Sequence, residues 1–240
     1  MYEIGVSKKV QFCDVYSLDE EDLKAMLPSP IHAFILLYPI DDGKFDREDR
    51  LLGEVEEEEE EDKSKETSSK KPFYLSQTID NACGFIALLH VIAALQDNDN
   101  NDNDSADVVA KDSILDKYLE AARKCPTPRD RGVLLESNEA LASVHRTFAQ
   151  QGSTEAPQTL EEEMAVNLHF VALVPSSTSS STGPALWELD GRKRGPVKRG
   201  EGGIANFVAE SLKLIKWYME RAGEAHAGSY SVLALVPNNY

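Results

Sequence analysis

One thiol in this sequence stands where chemistry can be done. Cys83 follows the polar lead-in Gln77-Thr78-Ile79-Asp80-Asn81-Ala82 and opens onto the apolar run Phe85 to Leu95. That run predicts a helix with no polar face, and such a helix belongs in the middle of a domain. A thiol at its first turn meets the positive end of the helix dipole and N–H groups without helical partners. In such places a cysteine pKa falls from about 8.5 to roughly 3.5–7.5. A free cysteine also serves commonly as a small buried hydrophobe. On this stretch alone both readings stand.

A nucleophilic thiol needs a base, and the base needs an orienting partner. There are 5 histidines to choose from. His90 lies in the same helix as Cys83, about 10.5 Å further along the axis, too far to share a proton. His145 falls in a helical stretch beside Arg146 and reads as a surface or partly packed residue. His32 starts an apolar strand close to Pro30, and His226 lies in the polar loop Gly223 to Gly228. His169 differs, because it interrupts the largely apolar strand Val166 to Val174. Taken alone it reads better as a satisfied core histidine.

Pairing changes that reading. If Val166–Val174 and Ala185–Asp190 form an antiparallel hairpin symmetric about their connection, Val174 faces Ala185 and His169 faces Asp190. Their Cβ atoms would then lie about 4.5–5.5 Å apart. Asp190 could accept a bond from one imidazole nitrogen while the other is aimed at Cys83. A one-residue slip would put the two on opposite faces. Gln77, just ahead of the helix, could bring its amide to the region faced by the Cys83 backbone N–H. Such an oxyanion donor is worth roughly 2.7–4 kcal/mol in a transition state. A glutamine before a helix is otherwise an ordinary surface residue.

The rest of the chain must position these groups. Val10 to Val15 suits a short edge strand. Ser17 is placed to cap a helix running to Leu27, with Glu20 at the capping-box position, and Pro28 and Pro30 end it. Ile31 to Pro39 is an apolar run bounded by prolines, as in a buried strand. Ser113 to Lys124 reads as an amphipathic helix. Arg129 to Gln151 reads as a second, with Val133, Leu134, Leu141, Val144 and Phe148 toward the core. Gly191 to Pro196 reads as a solvated basic turn. Ile204 to Arg221 is a further helix, built on Phe207, Val208, Leu212, Ile215 and Trp217. Ser231 to Pro237 is a closing strand. The pattern is α+β: a central, mainly antiparallel sheet flanked by helices on both sides.

Composition narrows the function. The chain has 240 residues, a net charge of −17 and 41% hydrophobic residues, which suits one domain spanning 1–240. The acidic excess is concentrated in Glu56–Asp62 and in Asp97–Asp107, two low-complexity tracts read as flexible insertions near 41–71 and 96–108. The acidity argues against nucleic acid as a partner and suits a basic protein or peptide tail. No run is long enough to span a membrane, and no signal peptide is visible. The Asp/Asn tract lacks the glycine and terminal glutamate of a calcium loop. The 3 cysteines form no C-x-x-C pair, so no metal site or disulfide framework is expected. No cofactor is implied, and a reducing compartment fits best: the cytoplasm, with the nucleus as an alternative.

In this order the blocks resemble a known family. Gln77, Asn81-Ala82-Cys83-Gly84, Asn167-Leu168-His169-Phe170 and Trp187-Glu188-Leu189-Asp190-Gly191-Arg192 are similar to the motifs of the ubiquitin carboxyl-terminal hydrolases. Phe12-Cys13-Asp14-Val15-Tyr16 and Leu27-Pro28-Ser29-Pro30 resemble it too. The resemblance implies a papain-like cysteine peptidase core, with Cys83 as nucleophile, His169 as general base and acid, Asp190 as orienter and Gln77 as oxyanion donor. It implies hydrolysis of small adducts and short peptides from the C-terminus of ubiquitin by a monomer. It also implies a substrate-binding crossover loop at about Gln150 to Met164, including Gly152, Glu155, Ala156, Pro157 and Glu161. The lead-in strand and helix usual before the Phe-x-Asp-Val-Tyr block are expected to be missing, and no proteasome-binding extension is expected. A non-catalytic ubiquitin-binding module, a hydrolase preferring a ubiquitin-like protein and a general peptidase are the alternatives.

Overall fold

Six strands form one sheet in the computed structural model, which describes residues 1–40, 71–99, 108–151, 168–176, 185–199, 206–222 and 229–239. In chain order the elements are β1 (Val10–Asp14), α1 (Glu20–Met26), β2 (Ala33–Pro39), α2 (Cys83–Asp99), α3 (Ile114–Ala122) and α4 (Pro128–Glu136). Then follow α5 (Glu139–Gln151), β3 (Leu168–Ser176), β4 (Ala185–Leu189), β5 (Val197–Arg199), α6 (Phe207–Ala222) and β6 (Ser231–Pro237). The strand order is β1-β6-β2-β3-β4-β5, and every neighbouring pair is antiparallel. This is the α+β arrangement the sequence implies. β1 is an edge strand, as expected.

The two faces of the sheet follow from side-chain alternation. Ala33 and Ile35 of β2, Ala172 and Val174 of β3, and Ala185, Trp187 and Leu189 of β4 pack with α2. Their alternates Phe34, Leu36, Val171, Leu173 and Leu186 pack with Ile215 and Tyr218 of α6. Because the central strands are covered on both sides, they read as continuous apolar runs rather than as alternating ones.

α2 is the axis of the larger core. Leu89, Val91, Ile92 and Ala93 are fully buried, and Ile86, Ala87, Ala94 and Leu95 are nearly so. A leucine, valine or isoleucine buried this completely contributes about 1.5–3 kcal/mol. α2 runs on through Asp99, into the Asp/Asn tract the sequence suggested was an insertion. The extra turn is tied down: Arg123 donates to the Asp97 carboxylate at 2.7 Å, and the Asn98 amide donates to Pro175 O at 3.1 Å. The remainder of that tract, and residues 41–70, lie outside the described residues.

Several local expectations need correction. Asp19, not Ser17, caps α1: its carboxylate accepts from the N–H groups of Glu21 and Asp22. An ionised acceptor at the helix dipole outcompetes a hydroxyl two residues earlier. The helix expected over Arg129 to Gln151 is two helices, with Asn138 opening the second by accepting from Leu141 N–H at 3.1 Å. The break resets the helical phase, so Leu135 is buried while Val133 is 49% exposed. In α6 the buried aromatic is Tyr218, and Trp217 is 38% exposed. Trp217 instead lies beneath cations, with the Arg221 guanidinium 5.0 Å from its ring centre.

Candidate active site

Asn81 adopts a left-handed backbone conformation (φ 55°), a geometry that asparagine tolerates better than most residues. It turns the chain so that Cys83 becomes the first residue of α2. The approach of α2 to β3 depends on a small residue: a Cβ on Gly84 would lie 3.2 Å from the Phe170 ring. Cys83 is thereby half-buried beside the start of β3, one residue from His169.

His169 and Asp190 are both 3% exposed, and His169 Nε2 lies 2.6 Å from Asp190 Oδ1. The cross-strand register is not the one the symmetric hairpin predicts. Ala172 faces Leu189 and Ser176 faces Ala185, two residues displaced from the expected pairing. β3 continues two residues beyond Val174, and this shifts the pairing. A displacement of two preserves the face of every side chain, so His169 and Asp190 meet diagonally rather than directly across.

The second imidazole nitrogen serves Cys83, through a hydrogen bond between the two side chains. Burial pushes the Cys83 thiol up. The His169 hydrogen bond and charge, with hydrogen bonds from the backbone N–H groups of Phe170 and Gly84, outweigh that and leave it below its ordinary value. Burial also disfavours charge on His169. The Asp190 carboxylate opposes burial by charge and hydrogen bond, Cys83 adds to it, and the imidazole is raised to about 9. The two shifts have opposite signs: the imidazole holds its proton more tightly than usual, and the thiol holds its own less tightly.

Gln77 arrives from the opposite side, on the extended segment before α2. Its backbone N–H donates to Gly191 O at 2.7 Å, and its side-chain amide donates to Ile79 O at 3.1 Å. Contact with Gly191 is close enough that a Cβ there would lie 3.1 Å from Gln77 Cβ and 3.0 Å from Ile86. This seats Gln77 against the residue after Asp190 and beside the first turn of α2. The Gln77 side-chain oxygen is buried without a hydrogen-bond partner among the described residues. A cavity of about 200 Å³, lined chiefly by Ile79, Ala82, Phe85, Leu135, Ala142 and His145, opens beside the same turn.

The basic turn after β4 is not the solvated loop its composition suggests. Lys193 is 3% exposed and pairs with Glu188, which is fully buried. Arg199 on β5 donates to the other Glu188 oxygen at 2.9 Å. Tyr74 donates its hydroxyl toward Asp190 O at 2.6 Å and Lys193 O at 2.8 Å. The turn that carries Asp190 is thus fixed from three sides. A signal for this was present: Glu188 sits within a run of strand residues that must be buried, and a buried carboxylate requires a nearby cation.

Other site expectations fall differently. The His145 ring packs on Phe85 at 5.4 Å between centres, and His90 accepts from the segment before Gln77. His226, and the crossover-loop residues Gly152, Glu155, Ala156, Pro157 and Glu161, lie outside the described residues; Gln150 belongs to the last turn of α5. Among the described residues no cluster of three or more metal-ligating side chains occurs, and no helix is long and apolar enough to cross a membrane.

Comparison with known proteins now bears on this arrangement. Residues 1–220 match the model of ubiquitin carboxyl-terminal hydrolase, family 1. The chain belongs to this family. A ubiquitin carboxyl-terminal hydrolase of Drosophila melanogaster is 33% identical over 235 residues, covering 98% of this chain and 90% of the relative. One from Aplysia californica is 32% identical over 226 residues, covering 93% and 90%. The fold resembles the crystal structure of the Trichinella spiralis UCH37 catalytic domain bound to ubiquitin vinyl methyl ester, at a TM-score of 0.66 and 22% identity over 96% of this chain and 87% of that one. By family, the protein is a ubiquitinyl hydrolase of the cysteine-peptidase type.

Proposed function

We propose that the chain cleaves small adducts and short peptides from the terminal glycine of ubiquitin, by a Cys-His-Asp mechanism through a thioester. The observation that supports this reading most is the His169–Asp190 contact of 2.6 Å beside a thiol held below its ordinary pKa. The Cys83 thiolate attacks the glycine carbonyl carbon. The carbonyl oxygen gains negative charge, which the Gln77 side-chain amide and the Cys83 backbone N–H stabilise. Donors of this kind typically contribute about 10²- to 10³-fold in kcat each. As the tetrahedral species collapses, the His169 imidazolium gives its proton to the leaving amine, and a Cys83 thioester remains. Neutral His169 then takes a proton from water, which attacks the thioester, and the thiolate is restored. Asp190 keeps the imidazole oriented through both steps.

Ubiquitin is the substrate class because the family and its relatives are named for it. The test is direct. Ubiquitin carrying a thiol-reactive group at its C-terminus is expected to form a covalent adduct with the native chain and none with Cys83→Ala. Absence of an adduct with the correctly folded native chain overturns the proposal.

A further inference from the structure

His90 is a buried ionisable group that the mechanism above does not use. It lies in the middle of α2, fully buried, with its ring stacked on Tyr74 at 5.1 Å between centres and 11° between planes. Its Nε2 accepts the backbone N–H of Leu75 at 3.1 Å, and the ring also has a backbone hydrogen bond to Leu189. A nitrogen that accepts carries no proton, so the ring is the neutral tautomer with its hydrogen on Nδ1. Burial enforces that neutrality, lowering the pKa to about 4, although the backbone of Leu75, the Asp190 carboxylate and the backbone of Leu189 pull the other way.

The contacts of this one ring reach the segments that bear the reacting groups. α2 itself begins at Cys83. Leu75 lies two residues before Gln77, in an extended segment with no sheet partner. Tyr74, stacked on the ring, donates its hydroxyl to the carbonyl of Asp190. Further ties hold the segment: Tyr74 hydroxyl to Lys193 O at 2.8 Å, Ser76 N–H to Pro128 O at 2.9 Å, Gln77 N–H to Gly191 O at 2.7 Å, the Gln77 amide to Ile79 O at 3.1 Å, and Arg131 to Tyr74 O at 2.8 Å. None of these connects it to α2. The His90 bond sets how far along the helix the Gln77 amide stands from Cys83.

We propose that His90 is a positioning residue: as a neutral acceptor for Leu75 N–H it places Gln77, through the Tyr74–Gln77 segment, against the first turn of α2. The inference rests on the thiol mechanism proposed above, and on Gln77 acting in it. A placement error of about 1 Å at a reacting group costs on the order of 10²-fold.

Four variants test it by hydrolysis of a ubiquitin C-terminal fluorogenic amide. His90→Phe keeps the stack on Tyr74 and removes the acceptor; kcat is expected to fall about 10- to 100-fold with KM within about twofold. His90→Gln sets a carbonyl oxygen where Nε2 stood and is expected to restore kcat to within about threefold, whereas His90→Asn stops short of Leu75 and is not. His90→Phe combined with Gln77→Ala is expected to be no slower than Gln77→Ala alone, because the two act through one donor. The Asn and Gln pair carries the test if the phenylalanine variant does not fold. Full activity in folded His90→Phe or His90→Asn overturns the inference, as does a double variant slowed by the product of the single effects. Gln77→Ala at native rate overturns the role of Gln77 and the inference with it. A native chain that forms no adduct at Cys83 overturns the thiol mechanism itself, which the adduct assay reads separately.

Discussion

The middle of α2 and the start of β3 each bury a histidine, and the two rings are in opposite states. His90 is fully buried, stacked on Tyr74, and lowered to about 4. His169 is 3% exposed, lies 2.6 Å from a carboxylate oxygen, and is raised to about 9. Burial opposes charge at both positions. What separates them is the partner: a backbone N–H that requires a lone pair from His90, against a carboxylate that requires a proton from His169. The fold therefore uses the same side chain once as a hydrogen-bond acceptor and once as a cation, and only the second can deliver a proton.

Removing the carboxylate should collapse this difference, with the largest effect. Asp190→Asn is expected to lower kcat by about 10²- to 10⁴-fold, the range that positioned acid–base groups contribute. The pH profile should change as well. The native profile should rise through the lowered Cys83 value and fall near 9, where His169 loses its proton. In Asp190→Asn the alkaline limb should move to lower pH, read from kcat/KM across pH 5 to 10. An unmoved limb would mean that Asp190 does not hold the proton on His169.

The pair Lys193–Glu188 asks the same question of a buried charge away from the thiol. Lys193→Met leaves the buried Glu188 with Arg199 alone. Breaking a buried pair typically costs about 3–5 kcal/mol, and the remaining guanidinium places the expected loss at the lower end. Urea unfolding measures it. A loss under about 0.5 kcal/mol would show that burial, not pairing, sets the stability of that turn.

The smallest effect concerns His90 and stability against pH. Its folded pKa of about 4 lies below the unfolded value near 6.5, so the unfolded chain binds the proton more readily between them. Its contribution is complete above about 6.5 and is lost as pH falls toward 4. His90→Gln should flatten that acid-side slope, measured by denaturant unfolding at pH 4.5, 5.5 and 7. Cys83 and His169 should add little slope near neutrality, because one gains the proton the other gives up. An unchanged slope in His90→Gln would mean that His90 does not titrate between the two states.

The legible parts of the sequence were those where side-chain type alone determines the environment. Phe85 to Leu95 could only be a buried helix, and Ile31 to Pro39 and Val232 to Val236 could only be covered strands. The shared face of His169 and Asp190 followed from parity, which survived a register error of two residues. Less legible were features set by competition between neighbours. Asp19 displaced Ser17 as cap because charge favours the helix dipole. Asn138 split one helical pattern into two and exposed Val133. Lys193 looked like a solvated cation because its partner, Glu188, is hidden in an apolar strand. Helix spacing sets His90 apart from the thiol, but that spacing says nothing about Leu75, which approaches from outside the helix. Contacts of that kind depend on tertiary paths that local patterns do not encode.

The strand order carries a consequence for how the molecule is made. β6 is the final strand in sequence yet lies inside the sheet, between β1 and β2. β1 pairs with β6 and, among the described residues, has no other strand beside it. During synthesis the first strand therefore waits for residues 231–237, and until they are made one edge of β2 stays open. The cores on both faces of the sheet share β6 residues, Leu235 on one and Ala234 on the other, so neither is finished earlier. A nascent chain stalled before Ser231 would carry Cys83, His169 and Asp190 and still lack the strand that closes the sheet beneath them.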